Sequence, residues 1–194
     1  MTDPLQKLFG SDARLKLLRL FLFNARQVYT VPDAAQRSRV PERTARKEMT
    51  IFGQMGLIKR VPGRRGQGAR FILSPDFEYL TVLQNLLLNA PARAKDIFER
   101  IRKSGTIKLI IVAGVFVGEW EGRLDVLVVG DRIKESQLRT RMRKLESEIG
   151  RELRYANLST EDFLYRLNMN DKLVRDVMDY PHRIVFDKLQ IGLK

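Results

Sequence analysis

Chemistry needs particular side chains brought close together, and this sequence concentrates them in two stretches. The first, residues 30–73, reads TVPDAAQRSRVPERTARKEMTIFGQMGLIKRVPGRRGQGARFIL. Between residues 37 and 70 it sets ten Lys or Arg against two Glu, a local excess of eight positive charges. Guanidinium groups pair bidentately with guanine edges in a DNA major groove, while other donors hold phosphate oxygens. The second stretch, IVAGVFVGEWEGRLDVLVVGD, ends at Asp131 and combines a glycine-containing turn with Asp125 at the head of an apolar run. Backbone N–H groups of such a turn suit phosphate, and carboxylates side by side on one strand face suit magnesium bridged to phosphate.

The elements that must position the cationic groups follow from capping and periodicity. Thr30 is a helix cap, and Pro32 is tolerated in the first turn of a short helix that ends by Arg37. Ser38, Arg39 and Val40 make a turn, Pro41 takes the first position of a second helix running to about Met55, and Gly56 closes it. Ala45, Met49 and Phe52 recur at spacings of four and three, giving one inward apolar stripe joined by Val40 and Leu57. The opposite face carries Glu42, Arg43, Arg46, Lys47 and Thr50. Two short apolar strands follow, residues 57–61 and 70–73, joined by a loop with Arg64, Arg65, Gln67 and three glycines, the pattern of a β-hairpin with a cationic tip.

Helix, turn, helix and basic hairpin in this order resemble the winged helix-turn-helix family of bacterial and archaeal transcription regulators, and MGLIKR resembles the junction that follows the recognition helix in them. The resemblance implies DNA contacts from Arg39, Glu42, Arg43, Thr44, Arg46, Lys47 and Thr50, and from Arg60, Arg64, Arg65, Gln67 and Arg70 on the hairpin. Arg43 and Arg46, near the N-terminal half of the second helix and away from its apolar stripe, are the side chains best placed to reach base edges. Winged helices also act as protein-interaction modules, and an Arg-rich helix face is often simply solvated. The concentration of positive charge on these elements favours a duplex.

The whole chain points the same way. It has 194 residues, 44% hydrophobic and 30% charged, with a net charge of +13 and an isoelectric point near 10.3. A polyanionic partner and salt-sensitive binding are expected, although acidic substrates or an anionic membrane surface would satisfy the same charge. Residues 1–78 carry 15 basic and 7 acidic side chains, and the rest 21 and 16, a modest asymmetry. Cysteine is absent, which excludes disulfides, thiolate metal sites and a cysteine nucleophile, and suits a reducing cytoplasm. The opening MTDPLQKLFG is not a basic run followed by an apolar one, and no run approaches eighteen apolar residues, so neither export nor membrane insertion is expected.

Ser11 caps a helix through about Phe23 with Leu15, Leu18 and Leu22 on one face, and residues 27–29 form a short third strand. After a turn at residues 74–76, residues 77–89 read as a leucine-rich helix, too apolar for a lone surface helix, which packs between domains or makes a homodimer interface. Residues 92–103 form another helix. Strands at 107–113, 124–129, 153–158 and 184–186 then alternate with helices at 134–150, 160–168 and 171–178, a small α/β domain with one mixed sheet. The expected division is residues 1–76, a connecting helix 77–91, and residues 92–194.

Residues 92–188 resemble the minimal nucleotidyltransferase fold, in which a Gly-Ser turn holds a triphosphate and an Asp-x-Asp strand with a later carboxylate holds metal ions. The resemblance implies a site that has lost its chemistry. Its turn reads Ala113-Gly114, without the hydroxyl, and its carboxylate pair reads Arg123-Leu124-Asp125, with a fixed cation in place of one ligand. The strand Leu153-Arg154-Tyr155-Ala156-Asn157 supplies no third Asp, and Glu152 is the only nearby carboxylate. Asp125 is left with a residual metal or nucleotide contact, or with a salt bridge to Arg123 or a capping role. Gly114, Arg123, Asp125 and Arg154 together outline a residual pocket for a small phosphate-bearing effector. Lone His182 beside Pro181 is structural. The stretch from Ser159 to Leu167, STEDFLYRL, resembles the segment after the third core strand in these proteins, with Ser159 and Asp162 as a capping box.

The fold expected is thus a two-domain α+β and α/β chain: an N-terminal winged helix-turn-helix and a C-terminal nucleotidyltransferase-like mixed sheet with flanking helices. The function expected is that of a cytoplasmic, sequence-specific, double-stranded-DNA-binding transcription regulator, without catalytic residues, metal or cofactor. Its second domain would sense, dimerise or recruit. The alternatives are an active nucleotidyltransferase carrying a nucleic-acid module, and the antitoxin of a nucleotidyltransferase-type toxin–antitoxin pair.

Overall fold

Side-chain caps at Ser11, Thr30, Ser159 and Asp171 start several of the helices, and apolar stripes gather them around two sheets. The computed structural model describes residues 4–62, 68–88, 94–119 and 122–191. The chain is a mixed α/β protein that divides into two units, Met1–Ala90 with Lys144–Arg151, and Pro91–Arg143 with Glu152–Lys194. Among the described residues no helix is long and apolar enough to cross a membrane.

The first unit runs α1 (Pro4–Leu8), α2 (Asp12–Leu22), β1 (Tyr29–Thr30), α3 (Val31–Ser38), α4 (Glu42–Gln54), β2 (Ile58–Val61), β3 (Arg70–Leu73) and α5 (Leu80–Leu88). Ser11 accepts from the Arg14 amide and starts α2. Leu15, Leu17, Leu18, Leu20, Phe21 and Leu22 are all buried, a wider apolar surface than a single stripe, because α2 touches α1, α3, α4, α5 and β3. The three strands order as β1-β3-β2, all antiparallel, with Tyr29 opposite Phe71 and Ile58 opposite Leu73. The short first strand thus lies at Tyr29–Thr30 rather than at residues 27–29. Leu87 is buried and Leu80 and Leu83 pack against the same core, while Tyr79, Val82 and Leu86 are exposed.

Thr30 caps α3 with a reciprocal box: its hydroxyl accepts from the Asp33 amide at 3.2 Å, and the Asp33 carboxylate accepts from the Thr30 amide at 3.0 Å. The Thr30 hydroxyl also donates to Asp33 Oδ2 at 2.6 Å. These donors, first the hydroxyl and then the amide, hold the Asp33 carboxyl below its ordinary value of 3.8. Pro41 is the N-cap of α4, with ψ of 139° and no capping side chain, so the helix starts one residue later than expected. Its preference for extended ψ, with φ already fixed, starts the helix at Glu42.

The second unit contains α6 (Ala94–Ile101), β4 (Thr106–Val112), β5 (Val126–Asp131), α7 (Glu135–Ile149, of which residues up to 143 belong here), β6 (Tyr155–Leu158), α8 (Thr160–Asn168), α9 (Lys172–Met178) and β7 (Arg183–Asp187). Its sheet orders as β6-β5-β4-β7; β4 is antiparallel to both β5 and β7, and β5 is parallel to β6. Leu109, Ile111, Leu127 and Val129 face Phe163, Val174 and Val177 of α8 and α9. The alternate residues Ile110, Val112, Val126 and Val128 are also fully buried, so both faces of the central strands are covered. On β7, Phe186 stacks on Phe98 of α6 with ring centroids 4.1 Å apart. Ser159 caps α8 by accepting from the Asp162 amide, but the Asp162 carboxylate is taken by Arg166 at 2.9 Å instead of returning to the cap. Asp131 supplies a second contact there, accepting from the Thr160 amide at 3.2 Å, and that bond holds its carboxyl below 3.8.

Both lowered carboxyls, Asp33 and Asp131, contribute stability that is complete above the unfolded value near 3.8 and is lost as pH falls through their lower folded values. Asp33→Asn is therefore expected to lower stability at pH 7 and to flatten the stability loss below about pH 4, as read by urea unfolding at several pH values. An unchanged pH profile contradicts the capping role.

Candidate functional site

Helix α4 separates its charges by face. Ala45, Met49 and Phe52 are buried with Glu48, while Glu42, Arg43, Arg46, Lys47 and Thr50 are exposed and Thr44 is half-buried. Glu48 lies on the packed side because positions 45, 48, 49 and 52 share one helical face. Its carboxylate meets Arg14 of α2, with Nε to Oε2 at 2.7 Å and side-chain exposures of 34% and 6%. Arg14 Nη1 also donates to the Phe9 carbonyl at 3.2 Å. The other acid of the helix, Glu42, accepts from Arg46 Nη2 at 2.8 Å, an exposed pair one turn apart. Thr50 turns its hydroxyl proton back onto the Arg46 carbonyl at 2.8 Å.

Arg43 and Lys47 form no ion pair among the described residues, and neither does Arg39. Arg39 ends α3 in the left-handed region, with φ of 52° and ψ of 47°. Its amide donates to the Gln36 carbonyl at 3.2 Å, and the Val40 amide to the Ala35 carbonyl at 3.0 Å, a Schellman ending in which Gly is the usual residue. An Arg there costs about 1 kcal/mol relative to glycine and leaves an exposed guanidinium in the α3–α4 turn.

On the sheet, Lys59 and Arg60 of β2 are exposed, and Arg70 of β3 is half-buried opposite Val61 and Thr30. Arg64, Arg65 and Gln67 lie outside the described residues. Lys59, outside the contacts expected from the sequence, is exposed on the face of β2 opposite to that of Ile58 and Arg60, and its place one residue after the buried Ile58 is the signal for it. Sequence reasoning also overlooked Glu48.

In the second unit, Asp125 is completely buried and sits just before β5. One carboxylate oxygen accepts from the Val115 amide at 3.1 Å; the other accepts from the Arg154 amide at 2.8 Å and from Arg154 Nε at 3.3 Å. The Asp125 backbone completes the junction, donating to the Arg154 carbonyl at 2.7 Å and accepting from the Ala113 amide at 2.9 Å. Gly114 has φ of +51°, and a Cβ there would overlap the Asp125 carboxylate. The glycine turn is therefore shaped around this carboxylate, with the Val115 amide directed at it.

Arg154 is the partner of Asp125 where Arg123 was the expected one, because β6 runs parallel beside β5 and brings Arg154 across from Asp125. Arg123 instead meets Asp176 of α9 at 3.1 Å. Thus Arg123 and Arg154, the two cations of the expected phosphate pocket, each hold a carboxylate. His182 Nδ1 donates to the Tyr180 carbonyl at 2.9 Å. Among the described residues no group of three or more His, Cys, Asp or Glu is arranged to hold a metal ion. Comparison with family models, with curated proteins and with solved structures finds no match to this chain.

The two ion pairs should differ sharply in weight. Asp125→Ala leaves two amides and a guanidinium without their acceptor and is expected to cost on the order of 3 kcal/mol in urea unfolding. Arg123→Ala removes only an exposed partner and should cost less than about 1 kcal/mol. Equal losses contradict the structural role of Asp125.

Proposed function

We propose that this chain is a sequence-specific double-stranded-DNA-binding transcription regulator, built from a winged helix-turn-helix unit and a nucleotidyltransferase-like unit that no longer does transferase chemistry. The observation that carries the reading is the charge separation on α4. One of its two acids is buried against Arg14 and the other is held by Arg46, so Arg43 and Lys47 face solvent unopposed, with Arg39 in the turn before them. A helix fits the major groove, where its N-terminal residues meet base edges and its flanks meet phosphates. In this arrangement α3, α4 and the turn between them act as the helix-turn-helix, α4 reads the groove, and β2 and β3 carry the wing, with Lys59 and Arg70 on one of its faces toward the backbone. The strained Arg39 supports the same reading, since glycine would be cheaper there if the side chain had no work.

The loss of transferase chemistry is supported by Asp125. A carboxylate that accepts two backbone amides and a guanidinium while fully buried has no lone pair directed at a solvent-accessible metal. With Arg123 two residues before it and paired to Asp176, the two-carboxylate clamp that a bridging magnesium needs is missing from this strand.

Fluorescence anisotropy with a selected duplex and a scrambled one, at several salt concentrations, tests the reading. Affinity is expected to fall steeply with salt, with a log–log slope of about −0.9 per phosphate neutralised. Lys47→Ala and Arg39→Ala should weaken both duplexes alike and flatten that slope by about 1 each. Arg43→Ala should cost roughly 1 to 3 kcal/mol on the selected site and much less on the scrambled one. A slope near zero overturns DNA binding by this surface.

A further inference from the structure

We propose that Glu42 and Arg46 act as one reading unit for cytosine with a neighbouring guanine, so that the preferred duplex of this chain carries a C whose exocyclic amine donates to Glu42. The inference rests on the groove placement of α4 proposed above and adds the base it selects. Glu42 is the first residue of α4 and Arg46 lies one turn on, with exposures of 52% and 65% and their facing atoms 2.8 Å apart.

An isolated carboxylate entering a DNA groove is repelled by phosphates on both sides. Here Arg46 compensates the charge and orients the carboxylate, leaving its second oxygen free to accept. The major groove offers such an oxygen two kinds of donor, the amines of cytosine and adenine. Adenine sets the acceptor N7 beside its amine, which opposes a carboxylate; cytosine has no acceptor there. Glu42 therefore favours C. The remaining N–H groups of Arg46 meet the opposite requirement, two adjacent acceptors, which guanine alone presents as O6 and N7. Since the paired atoms are 2.8 Å apart and base pairs stack at about 3.4 Å, both side chains reach the same or adjacent pairs.

The position of the acid is informative in a second way. Glu42 is the exposed acid of α4, on the face proposed to meet a polyanion, where a carboxylate with no base donor to accept from opposes binding. A group that opposes binding except where one base supplies a donor is a selectivity device. Gln in its place keeps the size, removes the charge, and matches adenine N6 and N7.

The test is selection of sites from a randomised duplex pool by the full chain and by Glu42→Gln, followed by anisotropy on the selected site with the C·G pair changed to each alternative. For the native chain, replacing that pair should weaken binding roughly 5- to 150-fold. The Glu42→Gln chain should lose this discrimination or turn to A·T, and should bind scrambled duplex more tightly. Its melting temperature should stay within about 2 °C of the native value, as for an exposed ion pair. If both chains select the same site with the same ratios, Glu42 is only a helix-stabilising acid and the inference is overturned. If the native chain binds duplexes with a steep salt slope but selects no C, the inference fails while DNA binding stands. If neither chain binds any duplex, the underlying reading fails with it.

Discussion

A carboxylate on the inner face of a helix must find a partner or give up its charge, and the pairing of Glu48 with Arg14 meets that demand in the first unit. Removing Arg14 would strand the buried Glu48 carboxylate, at a cost on the order of 3 kcal/mol, whereas Arg14, a third exposed and tied to the Phe9 carbonyl, keeps partners without Glu48. The geometry that results matters more than the energy. With Ala45, Met49 and Phe52 in the core and Glu48 on the same face tied to Arg14, α4 is held in one rotation about its axis. That rotation turns Arg43 and Lys47 outward. The same residues with Glu48 outside would present a face of mixed sign, and its attraction for a polyanion would weaken.

Carboxylates perform the corresponding architectural work in the second unit. Asp125 joins the turn after β4, the start of β5 and the start of β6, and Asp131 joins the end of β5 to the first turn of α8. Asp125 accepts from amides in the turn after β4 and just before β6, and Asp131 from the first amide of α8, which has no partner within its helix. An aspartate at the head of a strand can serve a metal or serve the backbone, and the number of donors already aimed at it decides which. Asp125 has its donors within the fold, while Arg123, two residues earlier, is directed to α9.

How much of this was legible depends on the range of each interaction. The stripe of Ala45, Met49 and Phe52, the caps at Ser11, Thr30 and Ser159, and the alternation of strands and helices are local, and they read directly from spacing. Asp33, three residues after Thr30, completes a capping box whose signature stood in the sequence and was read only by half. Burial of Glu48 follows from its place between Ala45 and Met49, but its partner lies 34 residues away, and no local pattern points to Arg14. Likewise Asp125 was recognisable as a special position, whereas its pairing with Arg154 depends on the parallel register of β5 and β6. The sequence leaves Asp125 a salt bridge to Arg123 or a capping role; its carboxylate instead holds the amides of Val115 and Arg154 together with the Arg154 guanidinium. Strand β5 begins two residues later than expected because Leu124 and Asp125 belong to this junction rather than to the ladder.

The central claim is that the outer face of α4 and the turn before it meet a duplex. Amide chemical-shift mapping on the full chain, with a duplex titrated in at low salt, tests it most directly. The account predicts the largest shifts at residues 39–50, smaller ones at Lys59 and Arg60, and none in β4 to β7. Shifts confined to the second unit, or no shifts at saturating duplex, would contradict it.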